Sequence, residues 1–284
     1  MKIYKKCCNY TMTNKERMYA LHKSVEYIIK NNIPGDFVEC GVWRGGSTML
    51  IAYSLLEFNV NNRKIYLYDT FEGMSQPTEF DYLLANSFFA SELLQKEPKK
   101  DTNFWCFVTL NEVKNNMALT KYPENNIIYV KGKVEETIPK IIPSKIALLR
   151  LDTDWYESTK HELNHLYPIL SKNGVLIIDD YGYWAGAKRA VDEYFFDEQI
   201  LLNRIDWNKQ LDGTTKTDDE TDKTPNNKCT LIWEGVQKKR NFKYFKFQQF
   251  SDEETARKYL KDHGVGYLWD FATSSVAQET SAPS

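Results

Sequence analysis

Several features that would place this chain quickly are missing from it. It has no G-x-G-x-x-G run, which excludes the usual glycine cradle for a pyrophosphate. No apolar stretch is long enough to span a bilayer. The start, Met1-Lys2-Ile3-Tyr4-Lys5-Lys6, lacks the apolar core of a secretion signal. Cysteine is scarce: the five residues (Cys7, Cys8, Cys40, Cys106, Cys229) are odd in number and none has C-x-x-C spacing. That argues against a disulfide framework or structural zinc and for reduced thiols in a cytoplasmic protein. A formal charge of -2 gives no global basic field, so nucleic acid is not an expected partner. What remains is a 284-residue chain, 42% hydrophobic and 27% charged, enough for one large domain with additions.

Against that background two apolar runs stand out because both end in carboxylates. Ile146-Ala147-Leu148-Leu149-Arg150-Leu151 leads into Asp152-Thr153-Asp154, and Val175-Leu176-Ile177-Ile178 leads into Asp179-Asp180. Between them Tyr156 to Leu170 has Leu163, Leu166, Tyr167 and Leu170 at helical spacing. Strand, helix, strand predicts a βαβ unit with parallel, adjacent strands whose carboxyl ends open on one sheet edge. Four acids there repel one another unless a cation sits among them, and oxygen-only ligands suit a hard ion such as Mg²⁺. Adjacent strand residues point to opposite faces, so Asp179 and Asp180 reach one ion only if the chain turns after Ile178.

Upstream, Thr13-Asn14-Lys15-Glu16 fits a capping box before a helix carrying Met18, Leu21, Val25, Ile28 and Ile29. A short strand, Phe37 to Cys40, runs into Gly41-Val42-Trp43-Arg44-Gly45-Gly46-Ser47 and a helix from about Ser47 to Phe58. A second strand, Ile65 to Tyr68, ends at Asp69, and a third, Ile127 to Val130, is followed by Gly132. Glycines after the first strand let a ligand approach the backbone, and the following helix offers free N–H groups. An acid ending the next strand typically accepts from ribose hydroxyls. Ribose without pyrophosphate points to S-adenosylmethionine, with Glu39 near its amino or ribose group.

Three motifs compete with this reading. His161-Glu162-Leu163-Asn164-His165 matches the H-E-x-x-H of zinc proteases. Both histidines fall opposite the leucine stripe, however, on a face expected to meet water. Asp152-Thr153-Asp154 matches the D-x-D of metal-dependent glycosyltransferases, a reading that leaves Gly41 to Ser47, Asp69 and Asp179-Asp180 unexplained. Lys238-Lys239-Arg240 is short and reads as a solvated run. Trp43, Trp155, Tyr156, Tyr181 and Trp184 are candidates to line an acceptor pocket, with Tyr156 and Tyr181 favoured because they flank the acids.

Four segments in order, Glu39-Cys40-Gly41-Val42-Trp43-Arg44-Gly45-Gly46, Asp69-Thr70-Phe71-Glu72-Gly73, Leu151 to Thr159 and Ile178-Asp179-Asp180-Tyr181-Gly182, resemble the macrocin O-methyltransferase family. The resemblance runs from about Tyr10 to Ile205. It implies a doubly wound, mostly parallel class I methyltransferase sheet of Rossmann-like α/β type, S-adenosylmethionine, and a Mg²⁺-type ion. The implied acceptor is a small-molecule sugar or glycan hydroxyl. By motif, Asp152, Asp179 and Asp180 match metal ligands and Asp154 the general base. Glu39, Gly41, Ser47, Asp69, Thr70 and Phe71 match cofactor-contacting positions, joined by Gly132 and by Thr11 and Met12 in an N-terminal segment that closes over the cofactor. Many members carry Gly-Trp-Phe where this chain has Gly132-Lys133-Val134, and Asp-Gly-Asp-Leu-Tyr where it has Asp152-Thr153-Asp154-Trp155-Tyr156.

The expected organisation is an N-terminal segment (1–34), a methyltransferase domain (35–235) and a C-terminal extension (236–284). The domain carries an aromatic lid insertion at about 73–122 and a mobile polar loop at about 212–227. The extension includes a short helix opening at Ser251 and ending near Gly264, then a small, polar tail from Ala272. A homo-oligomer is an open expectation. So is a non-catalytic cofactor-binding role, against which stand four mutually repelling acids.

Overall fold

The computed structural model describes residues 2–96, 105–197, 200, 202–206 and 228–233. The expected loop at 212–227, the Lys238-Lys239-Arg240 run, the helix at 251–264 and the tail after Ala272 lie outside the described residues.

Seven strands form one sheet: β1 (Asp36–Cys40), β2 (Ile65–Asp69), β3 (Ile127–Lys131), β4 (Ile146–Leu151), β5 (Leu170–Ile178), β6 (Leu202–Asp206) and β7 (Lys228–Trp233). Their order is β3-β2-β1-β4-β5-β7-β6. β1 to β5 are mutually parallel, while β7 runs antiparallel to both β5 and β6. Parallel strands need crossovers, and helices supply them: α3 (Gly46–Glu57) after β1, α7 (Tyr156–Leu166) after β4 and α8 (Ala185–Tyr194) after β5. Two helices, α1 (Tyr4–Cys7) and α2 (Lys15–Lys30), precede the sheet; α4 (Ala90–Lys96) and α5 (Leu110–Ala118) lie between β2 and β3, and α6 (Val134–Thr137) follows β3. This is the doubly wound α/β sheet the sequence predicts.

Helices cover both faces, so the central strands read as continuous apolar runs. One face packs Phe37, Leu67, Leu148 and Val175 against Met18, Leu21 and Val25 of α2 and Met49 to Leu55 of α3. The other packs Val38, Tyr68, Leu149 and Ile178 against Leu163 and Leu166 of α7 and Val191 of α8. Every residue of β4 is buried, Arg150 included.

Three local expectations change. The cap of α2 is Asn14, whose Oδ1 accepts from Arg17 N at 2.9 Å; this frees Thr13, whose hydroxyl accepts from Arg150 Nη2 at 3.3 Å. The helix after β4 ends at Leu166 rather than Leu170 and continues as a 3-10 turn over Tyr167–Ile169. Pro168 explains that end, because it has no N–H and its ring crowds the carbonyl one turn back. Strand β6 escaped prediction because Asn203, Arg204 and Asp206 give it poor strand propensity.

The insertion between β2 and β3 divides in two. α5 joins the main core through Val113 and Met117, and Asn116 Nδ2 donates to Arg44 O at 2.9 Å. The part around α4 builds a separate cluster, in which Leu83, Ala90, Leu94 and Trp105 pack with Trp155, Trp184 and Ala187.

Candidate active site

Strand order reverses between β1 and β4, and at such a switch point the carboxyl ends of two strands part to leave a crevice. Segments after β1, β2, β3, β4 and β5 enclose there a cavity of about 440 Å³, closed on one side by Thr11, Met12 and Thr13 and on another by Met74, Ser75 and Cys106.

The wall built by β1 and β2 is organised through backbone. Gly41 has φ +80°, and a Cβ there would lie 1.9 Å from the carbonyl oxygen of Asp152, so the strands approach this closely only because the residue is glycine. Asp69 Oδ2 accepts from Val42 N at 2.7 Å and Trp43 N at 3.0 Å, and Oδ1 accepts from Phe71 N at 2.7 Å. The carboxylate thus holds the glycine turn in shape. Of the expected cofactor residues, Thr11, Met12, Gly41, Ser47, Asp69, Thr70 and Gly132 line the cavity. Glu39 and Phe71 stand behind it, at 1% and 2% exposure. Glu39 accepts from Arg150 Nη1 at 2.5 Å and from the Thr48 hydroxyl. The Phe71 ring packs into the main core, leaving its N–H as the group that shapes the site.

Charge organises the wall built by β4 and β5. Asp152, Asp154 and Asp180 each offer an oxygen, and the three lie within 4.8 Å of one another. Asp179 also lines the cavity but is held by two arginines: Oδ1 accepts from Arg150 Nη2 and Oδ2 from Arg17 Nη1, both at 2.7 Å. The acids that converge therefore include Asp154 and not Asp179, although Asp179 was expected among the ligands. Its place follows from the strand rule, since Asp179 continues the alternation of β5 while Asp180 begins the turn.

Arg150 ties this wall together. Besides Asp179 and Glu39, it donates from Nη1 to Asp152 Oδ2 at 2.6 Å. Desolvation pulls its guanidinium down, but Asp152, Asp179 and Glu39 outweigh that and hold it charged. For Asp179 burial raises the carboxyl, and Arg150 and Arg17 overcome this and leave it below the usual range. The converging acids go the opposite way. Burial raises Asp154 to about 7, opposed by a hydrogen bond with Asp180 and reinforced by the charge of Asp152. Asp152 and Asp180 rise well above the carboxylate range, first through burial; Arg150 opposes this at Asp152, while Asp154 adds to it at Asp180.

Arg150 and Arg17 escaped the motif reading. The signal for Arg150 was a lone cation inside an apolar, acid-tailed run; Arg17, on an amphipathic helix, carried none. The pocket aromatics were partly misassigned. Trp43, Trp155 and Trp184 line the cavity together with Tyr183. Tyr156 instead donates from its hydroxyl to Glu193 and Tyr181 to Asp192, both at 2.6 Å.

The H-E-x-x-H face is not the solvated one expected. His161 and His165 are half-buried, with His161 Nε2 2.8 Å from Ile138 O and His165 Nδ1 2.8 Å from His161 O. Glu162 is fully buried and accepts from the Thr153 hydroxyl at 2.9 Å. Each imidazole is thus tied to a backbone carbonyl.

Three residues on this cavity wall, Trp43, Cys106 and Asp154, have positive φ (47°, 47° and 68°). Each such conformation costs about 1–3 kcal/mol, and clusters of them mark functional sites.

A parallel doubly wound sheet with a glycine turn, a strand-end acid and a ligand-sized cleft at the switch point defines a class I, Rossmann-like methyltransferase. The chain belongs to the macrocin-O-methyltransferase family, whose model matches residues 5–210. It is 34% identical over 200 residues to the demethyldecarbamoylnovobiocin O-methyltransferase of Streptomyces niveus, covering 69% of this chain and 73% of that one. To the mycinamicin III 3''-O-methyltransferase of Micromonospora griseorubida it is 31% identical, covering 69% and 76%. The structure of the O-methyltransferase NovP superposes with a TM-score of 0.61 at 28% identity, over 79% of this chain and 81% of that one. The protein is accordingly an S-adenosylmethionine-dependent O-methyltransferase.

A second similarity overlaps the first. The C-terminal domain of the small nuclear ribonucleoprotein Prp3 matches residues 171–272. The chain is also 30% identical over 89 residues to protein RDM16 of Arabidopsis thaliana, covering 31% of this chain but 11% of that protein.

Proposed function

We propose that the protein methylates a hydroxyl of a sugar, on a glycan precursor or glycosylated metabolite, with the help of a hard divalent cation. The observation that carries this is the convergence of Asp152, Asp154 and Asp180 in a cavity whose opposite wall is the cofactor-type glycine turn. The sugar follows from the relatives, whose names include a mycinamicin 3''-O-methyltransferase and a tetracenomycin rhamnosyl 4'-O-methyltransferase.

The acid cluster fits a cation. Asp180 Oδ2 is buried and receives no N–H donor among the described residues; its neighbours are the carboxyl groups of Asp152 and Asp154. Oxygen-only donors suit Mg²⁺ better than zinc. Asp152 and Asp180 would hold the ion, and Asp179, expected as a third ligand, would set Arg150 and Arg17 behind them. A bound divalent ion lowers the pKa of a coordinated hydroxyl and orients two neighbouring oxygens. Asp154 takes the proton of the acceptor hydroxyl; a cation on its neighbours would favour its ionised, proton-accepting form. The walls align the acceptor oxygen with the cofactor methyl and keep water out. Thr11, Met12, Gly41, Ser47, Asp69, Thr70 and Gly132 hold the cofactor, and Glu39 and Phe71 support them from behind.

The test is methyl transfer from S-adenosylmethionine to a panel of nucleotide-sugars and glycosides, read by mass, with and without chelator. One added methyl, lost with chelator, is the expected result; methylation indifferent to chelator would remove the cation. Thermal stabilisation by S-adenosylhomocysteine and not by a nucleoside diphosphate would exclude the D-x-D glycosyltransferase reading.

We also infer a domain division with residues 1–34 over the cofactor site, 35–235 as the methyltransferase and 236–284 as a separate extension. Support comes from the family match, which ends at residue 210 and leaves the last part of the chain outside it. Limited proteolysis should release a fragment ending near residue 235 that still binds S-adenosylhomocysteine. Cys7, Cys8, Cys40 and Cys106 form no disulfide among the described residues, which fits a cytoplasmic setting; no described helix is long and apolar enough to cross a membrane.

A further inference from the structure

We infer that Asp81 is a positioning residue that clamps the insertion onto the two loops carrying the site acids. The inference rests on the reading of Asp152, Asp154 and Asp180 as the site. Asp81 is fully buried and lies far in sequence from both loops. Its Oδ2 accepts from Thr78 N at 2.7 Å and the Thr78 hydroxyl at 3.0 Å, which fixes it within the insertion. Oδ1 accepts from Tyr156 N at 2.8 Å.

That second bond reaches the first residue of α7. The residue at the cap position is Trp155, which offers no side-chain cap, so the insertion supplies the carboxylate that the helix start lacks. Tyr156 is two residues beyond Asp154, so the bond fixes the exit of the loop that carries the proposed base. The second loop is held at the same point. A Cβ on Gly186, in the first turn of α8, would lie 1.9 Å from Asp81 Oδ1 and 2.8 Å from Tyr156 N. Three chain segments therefore touch at one carboxylate. Neighbouring bonds repeat the connection: Ala185 N donates to Tyr82 O at 2.9 Å, Leu84 N to Tyr183 O at 3.0 Å and Trp155 Nε1 to Ser75 O at 3.1 Å. These bonds tie this part of the insertion to both loops.

Two variants test it from opposite sides. Asp81→Asn keeps the size but turns one accepting oxygen into a donor. Gly186→Ala leaves Asp81 in place chemically and pushes it away, although Gly to Ala inside a helix ordinarily favours the helix. In both, amide exchange at Tyr156 should accelerate about 10-fold or more while β4 keeps its protection. kcat for methyl transfer should fall about 10-fold or more with KM for S-adenosylmethionine within about twofold, because alignment and not cofactor binding is disturbed. Unchanged exchange at Tyr156 in both variants would overturn the clamp. Faster exchange with unchanged kcat, or a parallel loss of kcat, cofactor affinity and β4 protection, would reduce Asp81 to a structural group and also overturn the proposal. Should wild type methylate no acceptor, the proposed function fails, while the exchange measurement still reports on the clamp.

Discussion

The two walls of the cleft solve the same problem, holding residues at strand ends in place, by opposite means. The wall after β1 and β2 is fixed by backbone: Asp69 gathers three N–H groups, and Gly41 lets the main chain meet Asp152. The wall after β4 and β5 is fixed by charge, with two arginines set against Glu39, Asp152 and Asp179, while Asp152 also converges with two further acids, Asp154 and Asp180. A backbone-built wall is complete when folded. A charge-built wall with surplus carboxylates is complete only when a cation or protons balance it. Under the proposed function, cofactor binding falls to one side and proton and ion chemistry to the other.

The largest test of the division is Asp154→Asn. If proton removal belongs to the charged wall, turnover should fall about 10²- to 10⁴-fold, while S-adenosylhomocysteine, held by the other wall, binds as before by calorimetry. Comparable losses in both would show the walls to be one unit.

Arg150→Met comes next. Removing one partner of a buried charge network leaves acids uncompensated, at a cost of about 3–5 kcal/mol in denaturant unfolding. The loss should shrink at low pH, where Glu39 and Asp152 take up protons; both are raised, first by burial. A loss independent of pH would point to packing alone.

The ion itself gives a smaller effect. Magnesium at about 100 times its dissociation constant should stabilise the folded chain by about 2.7 kcal/mol, raising the melting temperature. Asp180→Asn should abolish the rise without affecting the shift produced by S-adenosylhomocysteine. A magnesium shift retained in that variant would move the ion site elsewhere.

The comparison also explains what the sequence revealed. The parallel strands were legible because apolar runs in a doubly covered sheet have little else to be, and Gly41, Asp69 and the acid-tailed runs marked the crevice. What stayed hidden was direction. Whether Asp179 or Asp180 joins the acid cluster and which pairs with the arginines depends on where β5 stops alternating, a matter of one residue. Glu39 and Phe71 lie in the right motifs but point into the core. Tyr183, two residues beyond the favoured Tyr181, lines the cavity, while the Tyr181 hydroxyl donates to Asp192. Asp81 was unreadable, since its partners Tyr156 and Gly186 are distant in sequence and no local pattern links them.

The smallest prediction sharpens the contrast by moving the same charges to water. On α2, the helix that sends Arg17 into the cleft, Glu26 pairs with Lys23 and with Lys30 Nζ at 2.6 Å. Hydrogen bonds from Lys23 and Lys30 lower Glu26 from 4.5 to about 2. A carboxyl lowered in the folded state adds stability above its unfolded value and loses it as pH falls through the folded one. The contribution of Glu26 should therefore be complete above pH 4.5 and fade toward pH 2. Because these partners are largely solvated, screening keeps the effect of Glu26→Gln below about 1 kcal/mol, measured by urea unfolding at neutral pH. The variant should flatten the acid limb of the stability profile and weaken in high salt. A loss as large as that of Arg150→Met would mean that burial is not what separates the two networks, and the division between the walls would lose its physical basis.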